Sequence, residues 1–264
     1  MPNVRFTKLS ATGNDFILID NRENALPEID CAFFRVICQR RYSIGADGVL
    51  LIEKDSVCDF KLRYFNADGS ETECGNGARA AAYYCHKHKI CRSKTTFSFG
   101  ANIYAAEING NVVKIKSAPW SNLKIEPGVN REKSLVEAGS INTGTPHYVL
   151  FSKEIEKLDV IALSKTLKRH DYFKPDGTNF NFVQIDGANQ ITLRTYERGV
   201  ENETLACGTG AMAAAFFATK LRHLQYPVKV NAQGGQLTVD LSDDGKRFFL
   251  SGETTSVFDG QLTI

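Results

Sequence analysis

The chain has 264 residues, 42% hydrophobic and 23% charged, with 32 basic against 30 acidic side chains and a net charge of +2. That composition belongs to a folded protein of about two domains and excludes disorder. A charge so near neutrality, with no basic run interleaved with aromatics, excludes nucleic acid as a partner, and no apolar run approaches the roughly 18 residues of a membrane helix.

The segment MPNVRFTKLS has no apolar signal region, so the expected location is the cytoplasm. Seven cysteines, an odd number at irregular spacing without a CxxC pair, read as thiols rather than as a disulfide framework or a structural zinc site. Residues 4–9 (VRFTKL) alternate as a strand, ATGND breaks it, and FILID at 16–20 begins another with Asn14 at the join. Residues 30–41 predict an amphipathic helix with Asp30 as N-cap and Phe33, Val36 and Ile37 on one face. SIGADGVLLIE gives a glycine turn into a strand, and CDFKLRYFN gives another that ends at Asn66. The polar turn ADGSETE then delivers the chain to Cys74. A helix over about 75–88 is apolar nearly all round, at Ala78, Ala80, Ala81, Ala82, Tyr83 and Tyr84, and is expected to be buried. TTFSF, NIYAAEI and NVVKIKS follow as antiparallel strands able to wrap around it. Pro119, Trp120 and the polar run SNLKIEPGVNREK read as the crossing into a second half.

In that half NTGTPHYVLF leads into a strand, and residues 154–168 place Ile155, Leu158, Ile161 and Ala162 on a surface helix. TNFNFVQID at 178–186 resembles TGNDFILID at 12–20, and TLRTYE at 192–197 resembles KLRYFN at 61–66. VKVNA, QLTVDL and RFFLSG read as strands around a second buried helix, and VFDGQLTI as a last strand able to pack back on the first half. The expected fold class is α+β: two pseudo-symmetric domains, 1–119 and 120–264, each a curved, mostly antiparallel β-sheet wrapped around a central α-helix.

The chemistry lies in a duplication. Residues 74–84 (CGNGARAAAYY) and 207–217 (CGTGAMAAAFF) match at seven of eleven positions, offset by 207 − 74 = 133. Each cysteine precedes a glycine and an alanine-rich run, which places it at a helix N-terminus. There free N–H groups and the helix dipole are expected to lower a thiol pKa from about 8.5 toward neutrality and to suit a carboxylate or phosphate. Two equivalent acid/base groups facing one cleft between the halves suit inversion of a carbon bearing a hydrogen: one removes the proton, the other supplies one to the opposite face. A substrate carboxylate between the helix N-termini would stabilise the charge that develops, so neither metal nor organic cofactor is called for. For Cys31, Cys38, Cys58, Cys85 and Cys91 the expected role is packing.

GNDF at 13–16, FNADGSETECGNGAR at 65–79, TPHYV at 145–149 and YERGVENETLACGTGA at 196–211 together resemble the signatures of the diaminopimelate epimerase family, through both halves of the chain. The resemblance implies a cofactor-independent isomerase that inverts one stereocentre of a small molecule, LL-2,6-diaminopimelate, to give the meso form on the route to lysine and peptidoglycan. It implies no metal and is compatible with a homodimer. By the same resemblance Cys74 and Cys207 are the catalytic bases, assisted by His147 and Glu197. Asn14, Asn66, Asn179, Glu197 and Arg198 line the substrate, while Gly75, Asn76, Gly208 and Thr209 hold a carboxylate on backbone N–H groups. A guanidinium at Arg198 suits a two-point grip on the distant carboxylate. The chain departs from the family pattern at Thr145, where many members have asparagine, and at Gly48, where some have glutamine.

Plainer readings stand beside these: Asn66 as a turn residue, His147 as a satisfied strand histidine, Glu197 with Arg198 as a surface ion pair. At the level of the whole chain the alternatives are another two-cysteine racemase of the proline racemase kind, a dithiol redox protein joining Cys74 to Cys207, and a noncatalytic binding domain on the same duplicated fold.

Overall fold

Thr12 and Gly13 turn the chain back on itself with φ of 54° and 81°, the left-handed pair whose twist suits a two-residue hairpin. The strands on either side, β1 (Asn3–Ala11) and β2 (Asn14–Asp20), pair antiparallel from Ala11↔Asn14 to Thr7↔Leu18. The computed structural model describes residues 3–26 and 30–263, so the first two residues of the opening segment and the last of VFDGQLTI lie outside it. The chain divides into two units, Met1–Ile115 with Gly252–Ile264, and Lys116–Ser251.

In the first unit β3 (Gly48–Glu53) lies parallel to β2, which requires a crossover, and α1 (Cys31–Cys38) sits in it. Asp30 caps α1 by accepting the Ala32 N–H at 2.7 Å. The helix buries Phe34, Ile37 and Cys38, while Val36 is 54% exposed. Of the expected face, Ile37 is buried and Phe33 is half-buried against the same core, and only Val36 lies off it; the face centres on Phe34, whose ring meets Phe65 at 4.7 Å between centroids. β4 (Phe60–Asn66) runs antiparallel to β3, and the short β5 (Glu71–Thr72) folds back on β4 inside the segment expected to be a turn. Then come α2 (Gly75–Lys87), β6 (Lys94–Phe99) parallel to β4, β7 (Asn102–Asn109) and β8 (Val112–Pro119), which runs past Ile115 into the second unit. α2 packs against β1, β2, β3, β4 and β7, and its small residues Ala78, Ala80, Ala81 and Ala82 are fully buried. Alanine lets a sheet close around a helix from several sides.

The second unit opens with β9 (Ser121–Ile125), a strand on β10 (Val136–Asn142) within what the sequence suggested was only a polar crossing. β11 (Pro146–Phe151) follows, then a 3-10 turn at Ile155–Lys157 and α3 (Val160–Leu167). The single surface helix expected over 154–168 is thus two pieces. Asp159 starts the second by capping the Ala162 N–H at 2.9 Å, and Arg194 Nη1 takes the carbonyls of Ile155 and Leu158, each at 3.0 Å. β12 (Asn179–Gly187), β13 (Gln190–Glu197), β14 (Asn202–Thr204), α4 (Gly208–Arg222), β15 (Val228–Ala232) and β16 (Gly235–Leu241) complete the repeat. β17 (Arg247–Thr263) is one 17-residue strand, not separate RFFLSG and VFDGQLTI segments. Beyond Ser251 it belongs to the first unit, pairing with β1 from Ala11↔Thr254 to Asn3↔Thr263.

Strand pairing also corrects the internal alignment. β11 and β12 are the parallel pair with a helical crossover between them, as β2 and β3 are, so TPHYVLF takes the place of NDFILID and NFNFVQID that of GVLLIE. KLRYFN and TLRTYE do correspond, as β4 and β13, each parallel to the strand that follows its cysteine helix. Each unit is therefore a mostly antiparallel β-sheet around a central helix, in an α+β fold.

Candidate active site

Each matched cysteine is the N-cap of its unit's central helix. Cys74 is extended (φ −141°, ψ 119°) and its Sγ accepts the Gly77 N–H at 3.4 Å; Cys207 (φ −119°, ψ 111°) accepts the Gly210 N–H at 3.4 Å. The helical ladders begin with Ala78 N–H to Cys74 O and Ala211 N–H to Cys207 O, at 2.8 and 2.9 Å. Helix geometry thus leaves the N–H groups of Gly75 and Asn76, and of Gly208 and Thr209, outside the ladder, beside a sulfur where a capping oxygen usually stands. The glycine at the third helical position lets each helix start come close to its sheet. A Cβ on Gly77 would stand 3.0 Å from Leu50 Cδ2, and one on Gly210 2.5 Å from Asn181 Oδ1.

In the first unit Asn14 gives its amide N–H to Asp47 Oδ2 at 2.6 Å, which turns its carbonyl toward Cys74 Sγ at 3.6 Å and Asn76 Nδ2 at 3.3 Å. Asn76 accepts in turn from Arg79 Nη2 at 2.8 Å, and the same nitrogen donates to Thr12 Oγ1 at 3.1 Å. Arg79 is fully buried, which lowers its pKa to about 10 against the opposing influence of Cys74. Asp47 and Asp15 share Arg40, and Lys8 pairs with Asp15 at 2.7 Å. Asn66, at the end of β4, spends its amide on Ser70 Oγ at 3.0 Å and closes the turn that the plainer reading assigned to it.

In the second unit Thr204 Oγ1 donates to Glu197 Oε1 at 2.6 Å. Burial pushes the Cys207 thiol well above its ordinary range, the Glu197 charge adds to this, and Thr209 and the Gly210 N–H oppose it. The expectation of a lowered thiol pKa is therefore overturned for Cys207, because desolvation outweighs the helix terminus. His147 is fully buried with Nδ1 3.0 Å from Asn181 Nδ2 and Nε2 3.0 Å from Thr145 Oγ1. Burial lowers its pKa to about 3, so the ring is neutral at physiological pH. Asn179, also buried, accepts the Arg198 N–H at 2.9 Å and donates to Thr145 Oγ1 at 3.3 Å. The Arg198 side chain is exposed, with Nη1 donating to the Asp176 carbonyl.

The structure thus gathers Asn14, Gly75 and Asn76 about Cys74, and His147, Asn179, Glu197, Gly208 and Thr209 about Cys207. Sequence reasoning missed Asn181, Thr204, Asp47 and Arg79. Asn181 is two residues from Asn179 and so shares its face of β12, and Arg79 is one helical turn from Asn76; those spacings were legible. Thr204 and Asp47 reach the site only through strand register.

The diaminopimelate epimerase family model matches residues 6–116 and 139–257. The chain belongs to the diaminopimelate epimerase family. It is 41% identical to the diaminopimelate epimerase of Aquifex aeolicus (strain VF5) across 98% of each chain. In fold it is similar to a PhzF-family phenazine biosynthesis protein of Bacillus anthracis (TM-score 0.75, 15% identity, 100% of each chain). It is also similar to a hydroxyproline epimerase from Agrobacterium vitis (TM-score 0.70, 13% identity, 99% of this chain and 92% of that one). Against the family pattern, Gly48 has a local cause: a Cβ there would stand 2.4 Å from the Phe65 carbonyl and from the Tyr64 ring, so no side chain fits without displacing β4.

None of the seven cysteines is in a disulfide. Burial raises Cys38 to about 11, and raises Cys85 and Cys91, which suits packing rather than reaction. Among the described residues no three His, Cys, Asp or Glu side chains converge as a metal site.

Proposed function

We propose that this chain interconverts LL-2,6-diaminopimelate and meso-diaminopimelate, with Cys74 and Cys207 as opposed acid and base on one α-carbon. The observation that carries the proposal is the matched pair of N-capping cysteines in a member of the diaminopimelate epimerase family. One sulfur, as thiolate, takes the α-proton; the other, as thiol, gives its proton to the opposite face; proton exchange with water then resets the pair. The N–H groups at the two helix starts suit the substrate carboxylate, whose α-carbon becomes negative in the transition state. Neutral His147 and the Glu197 carboxylate act by tuning and positioning Cys207, and the exposed Arg198 is offered for the distant carboxylate. The product feeds lysine and peptidoglycan synthesis in this reading. Seven cysteines outside any disulfide support a reducing, cytoplasmic setting.

The test is turnover of LL-diaminopimelate by purified protein and by Cys74→Ala and Cys207→Ala. Epimerisation by the parent and its loss in both variants, each still folded, supports the assignment. A Cys74→Ala protein working at the parent rate would sink it, and turnover of proline instead would favour a racemase of the proline racemase kind.

A further inference from the structure

Around Cys207 the direction of each hydrogen bond is fixed by its neighbours. Asn181 Nδ2 faces the carbonyls of Tyr148 at 3.2 Å and Asn179 at 3.3 Å, which only accept, while Asn181 Oδ1 accepts from Thr195 Oγ1 at 3.1 Å. The atom facing His147 Nδ1 is therefore an amide nitrogen, which cannot accept, so Nδ1 carries the lone pair and Nε2 the proton. Nε2–H donates to Thr145 Oγ1 at 3.0 Å. Asn179, oriented by the Arg198 N–H on its oxygen, donates a second proton to the same hydroxyl at 3.3 Å. With both lone pairs of Thr145 taken, its own proton points to Thr209 Oγ1 at 3.3 Å, and Thr209 in turn points to Cys207 Sγ at 3.4 Å. Thr143 Oγ1 holds the Thr209 carbonyl at 2.8 Å and fixes the helix start that carries this hydroxyl.

Resting on the reading of Cys207 as an acid/base group, we propose that Thr145 and Thr209 form a one-way hydroxyl relay that aims a proton at Cys207 Sγ and stabilises its thiolate. Thr145 is then a positioning residue. The first unit builds the same corner with the opposite polarity. Asn14, one residue past Thr12 and Gly13, stands where Thr145 stands past Thr143 and Gly144, and Asn76 matches Thr209 in the helix. There the oxygen facing the Cys74 sulfur is an amide carbonyl, which can only accept. Glu197 is the charged group that acts on Cys207, and Arg198 acts on His147. Glu197 disfavours the thiolate and His147 is neutral, so the Thr209 hydroxyl at the end of the relay joins the Gly210 N–H in favouring it beside a carboxylate.

The experiment is a pH titration of protein labelled with 13Cβ-cysteine, with the Cys207 signal identified by its loss in Cys207→Ser. Thr209→Val should leave about tenfold less thiolate at a fixed pH below the midpoint, and Thr145→Val about two- to threefold less. The double variant should match Thr209→Val alone, and Thr145→Ser should restore the parent titration. An unchanged Cys207 titration in Thr145→Val, or effects of the two valines that add, would overturn the relay. Because the titration needs no turnover, the expected shifts in a protein inert toward diaminopimelate would refute the proposed activity and leave the relay standing.

Discussion

Gly210 meets Asn181 with no room for a methyl group: a Cβ at Gly210 would stand 2.5 Å from Asn181 Oδ1 and 3.3 Å from Thr195 Oγ1. Asn181 cannot yield without losing the amide contacts that orient His147. At the matched glycine, Gly77, the one tight contact is the tip of Leu50, at 3.0 Å, with Cys74 Cβ and Phe16 Cε1 at 3.5 and 3.7 Å.

Gly210→Ala should therefore cost about 1–3 kcal/mol by overpacking, whereas Gly77→Ala should stay within about 1 kcal/mol of the parent, helped by the propensity of alanine for a helix. Urea unfolding of the two variants checks this. A Gly77→Ala protein destabilised as much as Gly210→Ala would contradict the packing account.

His147 links stability to pH. Folded, the ring stays neutral down to about 3, against an ordinary value of 6.5. Between those values the unfolded chain binds a proton that the folded protein does not. Stability should then fall as pH drops below 6.5, by up to about 1.4 kcal/mol per pH unit from this residue. His147→Gln should lose about 1–2 kcal/mol less between pH 7 and pH 5 than the parent does, whatever its absolute stability. Parallel stability curves for the two proteins would remove His147 from that role.

Glu197 works in the other direction on Cys207. After burial, its carboxylate charge is the main cause that holds the thiol protonated. Glu197→Gln keeps an acceptor for Thr204 and removes the charge, so Cys207 should ionise at lower pH. The expected readout is a larger thiolate fraction at pH 8 in the 13Cβ signal of Cys207; no change there would show that Glu197 does not act on the sulfur.

What the sequence made legible follows from which features are local. A cysteine before a glycine and an alanine run can be read as a helix start, and both cysteines do cap helices. Alternating strands such as TLRTYE were legible for the same reason. The swap of TNFNFVQID onto the wrong partner was not avoidable by likeness alone: β12 is matched to β3 by a parallel pairing across a helical crossover, a non-local property. Asp159 hid the break before α3 because a cap reads as one more polar residue until its N–H partner is seen. The thiol pKa of Cys207 is not legible in the sequence, since motif position shows the helix dipole but not the depth of burial or the approach of Glu197.

The central claim is that two sulfurs act on opposite faces of one carbon, and solvent hydrogen tests it most directly. In heavy water the donor thiol begins each turnover carrying deuterium, while the protium removed from substrate stays on the other sulfur until it exchanges with solvent. Mass spectrometry at low conversion of LL-diaminopimelate should find deuterium at the inverted α-carbon of the product and much less in the remaining substrate. Product that retains its original α-hydrogen would contradict the assignment of Cys74 and Cys207 as opposed acid and base.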